Sequence, residues 1–362
     1  MSDSNEVKDF FEIESSANAA RASLLPEKSK ARYERTYTYF KEWCNSKNVK
    51  TINETVLLAY FNDRASNLTS PTSLWSEYSM LKLTLCANEN LDISKFKQVI
   101  SFLKRKNDGY IPKKANIFTK EEITRFLCDA PDHAFLLMKV AMVLGVAGAC
   151  RTDELYHLNY EDVEIKPDVG IVKILQSKNK IPRSFVVTGC SETVNWLKIL
   201  EKYMKLRPSN TKESKFFLRY GNGKCVRQVV GKHTLSAIPM KIAKFLNLNH
   251  CKDYTGHSFR RTSATLLANS GSDVLSLKRH GGWKSNTVAE GYVGDSLTHK
   301  VHAANSISYG GTVENSSNAI DIVNNVISVT NKEENDVKQF VKIPGINIQE
   351  CSNCTFNINI NK

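Results

Sequence analysis

Apolar residues recur at helical spacing through most of this 362-residue chain and switch to a period of two in one clear place, GIVKILQSKNKIPRSFVV. Ile171, Val172 and Ile174 lie on one side of a polar turn and Phe185 and Val186 on the other, which predicts a β-hairpin. A second strand-like stretch, KFFLRY, precedes a glycine turn. The rest reads as helix. Tyr33, Tyr37, Phe40 and Trp43 recur near 3.6 residues, as do Val56, Leu57, Tyr60 and Phe61, then Leu74 to Leu85 and Phe96 to Leu103. Four such helices with short connections make a compact bundle. Further on, Thr119-Lys-Glu-Glu122 is a capping box that opens a helix with Ile123, Phe126 and Leu127 facing inward. Phe135 to Val146 is an apolar helix, and amphipathic helices follow at about Glu192 to Tyr203 and in HTLSAIPMKIAKFLNL. The predicted fold class is mainly α with a small β-sheet, an α+β protein.

Punctuation divides the chain. Residues 1–27 lack periodicity and read as a flexible tail, and residues 28–107 form the helical domain. LKRKNDGYIPKKAN carries Asn-Asp-Gly and Pro signals and places a basic linker at residues 108–117. A second domain spans residues 118–310. Residues 311–362 are rich in Asn and Ser. The closing CSNCTFNINI alternates Phe356, Ile358 and Ile360 with Asn, which reads either as an oligomerisation or partner strand or as disorder.

With 41% hydrophobic residues the chain can bury a core in each domain. Net charge is +13, and the two tails carry −4 (residues 1–27) and −2 (residues 311–362), so residues 28–310 hold +19. A body that basic is expected to bind a polyanion, with a salt-sensitive phosphate contribution. Lys104, Arg105, Lys106, Lys113 and Lys114 in the linker region, and Arg261, are the candidate backbone contacts. The same cluster could serve as a nuclear localisation signal or simply be a solvated face. No apolar run reaches membrane-spanning length and the polar N-terminus lacks a secretory pattern, so an intracellular protein is expected. Nine scattered cysteines give no disulfide framework, and one lone C-x-x-C is weak evidence for zinc.

The stretch His257 to Tyr292 concentrates the chemistry: H-x-x-R, then Trp283, then Tyr292 nine positions later. His257 and Arg260, three apart, share a helix face. Gly271 stops that helix, and Ser285 caps a short one that carries the tyrosine. A tyrosine hydroxyl, with a pKa of about 10, is a poor nucleophile at neutral pH unless positive groups and a base sit beside it. A guanidinium can grip two phosphate oxygens at once, and an indole N–H is a donor that titration cannot remove. The set suits attack on a phosphodiester. Taken singly, each residue reads as well as a surface or core group; the joint spacing is what argues for a site.

The segment resembles the C-terminal motif of the tyrosine recombinase (phage-integrase-like) family. The family's upstream pieces are present as well. GVAGACRTDELYHL gives Arg151 with Glu154 and Leu155 at the expected offsets, and Lys178 sits at the tip of the predicted hairpin, with Lys180 close enough to compete for its place. The resemblance covers residues 118–293. It implies an active site of Arg151, Lys178, His257, Arg260, Trp283 and Tyr292. Glu154 would orient Arg151, and His280 would be a neighbouring group and the alternative to Trp283 at the fifth position.

It also implies an N-terminal core-binding domain that closes over double-stranded DNA, a catalytic domain after the linker, and catalysis without a cofactor or metal. Tyr292 would form a 3′-phosphotyrosine while Lys178 protonates the departing 5′ oxygen. A homo-tetramer on two DNA sites, a dimer per site, would exchange strands to integrate or excise an element. The compact plan, the Trp and the Asn-rich C-terminus are most similar to the Crypton-type recombinases of eukaryotic mobile elements, which implies a nuclear protein; elsewhere the location would be cytoplasmic. The alternative is a domesticated DNA-binding regulator that has lost strand exchange. A type IB topoisomerase, which shares the chemistry, would act without site preference.

Overall fold

Residues 13, 15–17, 20–21, 23–67, 70–177, 181–189 and 193–309 are described by a computed structural model. The expectations for residues 311–362, and for Lys178 and Lys180, lie outside the described residues. Contacts divide the chain into two compact units, Met1–Lys113 and Lys114–Lys362.

Among the described residues the first unit is built on four long helices: α1 (Lys30–Ser46), α2 (Glu54–Asn67), α3 (Pro71–Glu89) and α4 (Lys97–Asn107). Pro71 starts α3, where its missing N–H has no helical partner to lose. Phe40, Leu57, Tyr60, Phe61, Leu81 and Leu85 meet in the centre, each essentially sealed from solvent. Fully burying side chains of this size stabilises by about 1.5–3 kcal/mol apiece. The Tyr60 ring stands edge-on to Phe40 at 4.9 Å, and its hydroxyl donates to the buried Glu77 carboxylate, which also takes Arg64 Nε at 3.0 Å. Lys104, Arg105 and Lys106 close the last turn of α4, exposed, where cations complement the helix dipole.

The second unit opens with α5 (Lys120–Asp129), capped by Thr119 Oγ1 accepting from Glu122 N at 3.1 Å and Glu122 Oε2 accepting from Thr119 N at 2.9 Å. Its core surrounds α6 (Asp132–Ala147), which is buried on nearly every side from Leu136 to Val146 and therefore central, with the one charge in that stretch, Lys139, paired to Asp132 at 2.8 Å. A turn leads to α7 (Thr152–His157), then to an antiparallel sheet of β1 (Val163–Ile165), β2 (Val169–Ile174) and β3 (Arg183–Thr188), in that order, with Val172 paired to Phe185. Next come α8 (Trp196–Lys205), the hairpin of β4 (Leu218–Gly221) and β5 (Lys224–Val229), α9 (Lys232–Ser236) and α10 (Ile238–Phe245). Four helices finish the unit: α11 (Ser258–Asn269), α12 (Val274–Gly281), α13 (Asn286–Asp295) and α14 (Leu297–Tyr309).

Mostly helix with two small antiparallel sheets, the molecule is the α+β protein expected. Three details differ. The predicted helix at Glu192 begins at Trp196, because the Asn195 side chain accepts from Lys198 N at 2.8 Å and fixes the start there. HTLSAIPMKIAKFLNL is two helices, not one: Pro239 cannot donate to the Leu235 carbonyl and its ring crowds it, so the chain restarts at Ile238. The hairpin gains β1 as a third strand, which at three residues is too short to show a period. No helix among the described residues is long and apolar enough to cross a membrane.

Candidate active site

Helix α6 ends at Ala147 and the backbone turns sharply through Gly148, Ala149 and Cys150 to Arg151. Ala149 sits in the left-handed region at φ 45°, a conformation a non-glycine residue holds only when its surroundings enforce it. Arg151 then caps α7. Its backbone N donates to Glu154 Oε2 at 2.9 Å and its Nη1 to Glu154 Oε1 at 2.6 Å. Glu154 is 2% exposed, so the carboxylate holds the guanidinium from below.

Arg260 arrives on α11, one turn after His257, which caps that helix. The Arg260 side chain is buried and donates Nη1 to the Ala149 carbonyl and Nη2 to the Gly281 carbonyl, each at 2.7 Å. The strained residue thus supplies one of its two acceptors. Thr152 Oγ1, donating to the Gly256 carbonyl at 2.9 Å, draws the start of α7 to the residue before His257, which is itself exposed.

The Gly281-Gly282-Trp283 run explains itself in the packing. A Cβ on Gly281 would lie 2.4 Å from the Trp283 ring, and Gly282 adopts φ 61° to end α12. Trp283 is therefore pressed back onto the helix end. One ring contact places the Arg260 guanidinium 4.6 Å from the indole centroid, and another stacks Tyr292 at 5.6 Å and 30°. Tyr292 is half-buried on α13, which Ser285 caps by accepting from Thr287 N at 3.1 Å. Ala264, Ala268, Leu277 and Ala289 complete a small core beneath it.

Of the sequence-predicted residues, Arg151, Glu154, Arg260, Trp283 and Tyr292 fall into one continuous set, with His257 one helical turn from Arg260. The His280 imidazole meets Ser263 Oγ at 2.8 Å. Arg261 donates to the Ala115 carbonyl, and Lys114, exposed, pairs with Asp295 at 3.2 Å, so both tie down chain at the start of this unit. Lys113 is exposed.

Sequence reasoning missed Arg183. From the first position of β3 it donates Nη2 to Glu154 Oε2 at 2.7 Å and Nη1 to the Gly148 carbonyl at 2.5 Å. A signal was available: Arg183, Phe185 and Val187 are alternate residues of one strand, and the latter two are buried. The period that announced the hairpin also put this arginine on its inner face.

Two guanidiniums, Arg151 and Arg183, therefore share the Glu154 carboxylate, and Arg260 is held beside them by two carbonyls. Burial, followed by the nearby Arg151, lowers the Arg260 pKa to about 10, which still leaves it protonated at neutral pH. Burial also pulls the His280 imidazole below its ordinary range, with Arg183 and Arg260 adding to the effect, so it is neutral there. Burial pushes the Cys150 thiol up to about 11, which makes it an inert core group and no nucleophile. Among the described residues no cluster of three or more His, Cys, Asp or Glu could hold a metal. A half-buried cluster with two positive charges in excess suits an anion, and a phosphodiester between the guanidiniums and the tyrosine has the right charge.

Comparison with known proteins agrees in one direction. Residues 116–299, just over half the chain, match the model described as the Phage integrase family. No curated protein matches by sequence. Among solved structures, the Tn1549 transposon integrase in complex with transposon right end DNA is 16% identical with a TM-score of 0.56, covering 78% of this chain and 94% of its own. XerH site-specific recombinase in a post-cleavage complex with a palindromic difH substrate is 15% identical with a TM-score of 0.55, over 71% and 73%. A lambda integrase dimer bound to a COC′ core site is 16% identical with a TM-score of 0.52, over 74% and 89%. At these identities the likeness establishes the fold.

Proposed function

The chain belongs to the phage integrase family, and from that premise we propose that it is a site-specific DNA recombinase which cuts and rejoins strands through Tyr292. The observation that carries this reading is the path from Glu154 through Arg151 and Arg183, across the Gly148–Ala149 and His280–Gly281 peptide units, to Arg260, Trp283 and Tyr292.

Each group has work to do on a scissile phosphate. Arg151, anchored by Glu154, and Arg260, anchored by two carbonyls, clamp the non-bridging oxygens and offset the charge that grows on them in the transition state. Donors fixed in advance spend nothing on reorganisation when the reaction occurs. Tyr292 Oη attacks phosphorus, losing its proton, and the bond to the 5′ oxygen breaks. The product is a 3′-phosphotyrosine that stores the bond energy. His257 completes the donor set from the head of α11, and Lys178 protonates the leaving 5′ oxygen. Reversal with another 5′ hydroxyl rejoins the strand, in the manner of type IB topoisomerase chemistry. When that hydroxyl belongs to a second duplex, strands are exchanged.

The ring geometry supports Trp283 over His280 at the fifth position, since the indole contacts both Arg260 and Tyr292 while the imidazole bonds Ser263. It also gives the Trp a second task, as a plate that sets the height of the tyrosine. The basic body supports double-stranded DNA as the partner, with the helical first unit and the Lys104–Lys114 segment on the phosphate backbone, and a dimer per site pairing into a tetramer. The fifth-position Trp and the compact plan support a mobile-element enzyme of the Crypton type, whose basic Lys104–Lys114 segment would serve as a nuclear address.

Covalent trapping tests the proposal. The protein and its Tyr292→Phe variant are each incubated with a pool of duplex fragments, denatured and assayed for protein-linked DNA. Adducts from the wild type alone support the recombinase. Salt-sensitive binding by both proteins with adducts from neither would favour a DNA-binding regulator.

A further inference from the structure

Arg183 has no place in the chemistry so far, yet its burial demands one. Its side chain is 8% exposed, and its Nε is sealed from solvent without a hydrogen-bond partner. A guanidinium buried with an unmet donor is costly, and a methionine of similar length would fill the same space without that cost. Nor does Glu154 need it as a counter-ion, because Arg151 already supplies one.

The contacts show a pattern. Arg183 donates to the carbonyls of Gly148 at 2.5 Å and His280 at 3.4 Å. Arg260 donates to the carbonyls of Ala149 and Gly281, the next residue in each case. Two guanidiniums thus bridge the same two segments, the turn before Arg151 and the end of α12, on consecutive peptide units. Arg183 adds a third attachment, to Glu154, and a fourth through its own backbone, since it pairs with Ile174 in the sheet.

We propose that Arg183 is a positioning residue for the phosphate clamp: by holding Glu154, the Gly148 turn and the end of α12 together, it sets where Arg151 and Arg260 point. Arg260 lies over the Trp283 ring that stacks on Tyr292, whereas Arg183 spends its contacts on Glu154 and the two carbonyls, so it acts through the other two arginines rather than on the DNA. The proposal rests on the recombinase reading.

Its consequence is a separation of effects. Affinity for DNA comes from many exposed phosphate contacts and stays, while the cleavage rate, which depends on alignment, falls by about 10–100-fold. The substrate is a duplex whose sequence is recovered from the wild type's own trapped ends. Failure of the wild type to form any adduct would refute the recombinase reading, and that result is in hand before a variant is made. Arg183→Met is expected to bind this duplex within about threefold of wild type but to form the phosphotyrosine about 10–100-fold more slowly. Arg183→Lys, able to keep the Glu154 pair but not every carbonyl, should fall between them. A duplex with sulfur in place of the 5′ bridging oxygen needs no proton on its leaving group. The Arg183→Met defect should persist on it, because the clamp and not the general acid is affected.

Three results would overturn the proposal: a cleavage rate within twofold of wild type, a loss of DNA binding in step with the rate, or full rescue by the bridging sulfur. Should Arg183→Met not fold, Arg183→Lys carries the test with the same readouts, and a wild-type rate in that variant would refute the bridging geometry.

Discussion

Each unit buries a carboxylate against arginine, and the two arrangements differ in their sum. In the helical bundle Glu77 meets one guanidinium, Arg64, and the neutral Tyr60 hydroxyl, so the group is balanced. In the second unit Glu154 meets Arg151 and Arg183, with Arg260 packed on the same turn, and two positive charges are left over. Both carboxylates are buried and hydrogen-bonded. A balanced set is a staple within one protein, whereas an unbalanced one needs an anion from outside to become neutral. The excess charge, more than the presence of arginine, marks the site.

That contrast can be pressed by substitution, and the largest effect should come from the unbalanced side. Arg260→Ala removes a donor aimed at the phosphate, and the rate of covalent adduct formation should fall by about 10²–10³-fold, measured in single turnover. On the balanced side Glu77→Ala should leave the chemistry alone and destabilise the bundle by about 2–3 kcal/mol in a denaturant titration, at the low end for a broken buried pair because Arg64 reaches solvent. A cleavage defect in the Glu77 variant without loss of stability would break the comparison.

A smaller effect sharpens it. Sulfate should stabilise the wild type by about 1.4 kcal/mol at ten times its Kd, read as a rise in Tm, and should do so much less in Arg260→Ala. Equal stabilisation of both proteins would show that the cluster is not where the anion sits. The smallest effect is in pH. His280 has a folded pKa lowered below 6.5, so the unfolded chain binds its proton first. The stability this contributes is present above 6.5 and lost as pH falls below it, and His280→Asn should flatten that part of the stability curve.

The same contrast explains what could be read without coordinates. The bundle was legible because its helices are held by apolar periodicity, a local property of sequence. So were Arg151 with Glu154, His257 with Arg260, and the Ser285 cap, where partners sit three or fewer positions apart on one helix or turn. Arg183 reaches Glu154 across 29 residues, and its partners at Gly148 and His280 are backbone carbonyls, which leave no mark in the sequence. Ala149 was equally invisible, since nothing about alanine announces a left-handed turn. The stacking of Trp283 on Tyr292 spans nine positions, from the loop after α12 into α13. Spacing could suggest that both belong to one site, but the contact of the indole with both Arg260 and the tyrosine comes from Gly281 letting the ring fold back.

The central claim is that Tyr292 is the atom-for-atom attachment point of DNA. The trapped complex, digested with nuclease and protease and analysed by mass spectrometry, tests it directly. The account predicts a single modified peptide, the one containing Tyr292, carrying a nucleotide through its 3′ phosphate. A nucleotide on any other residue, or linkage through a 5′ phosphate, would contradict it.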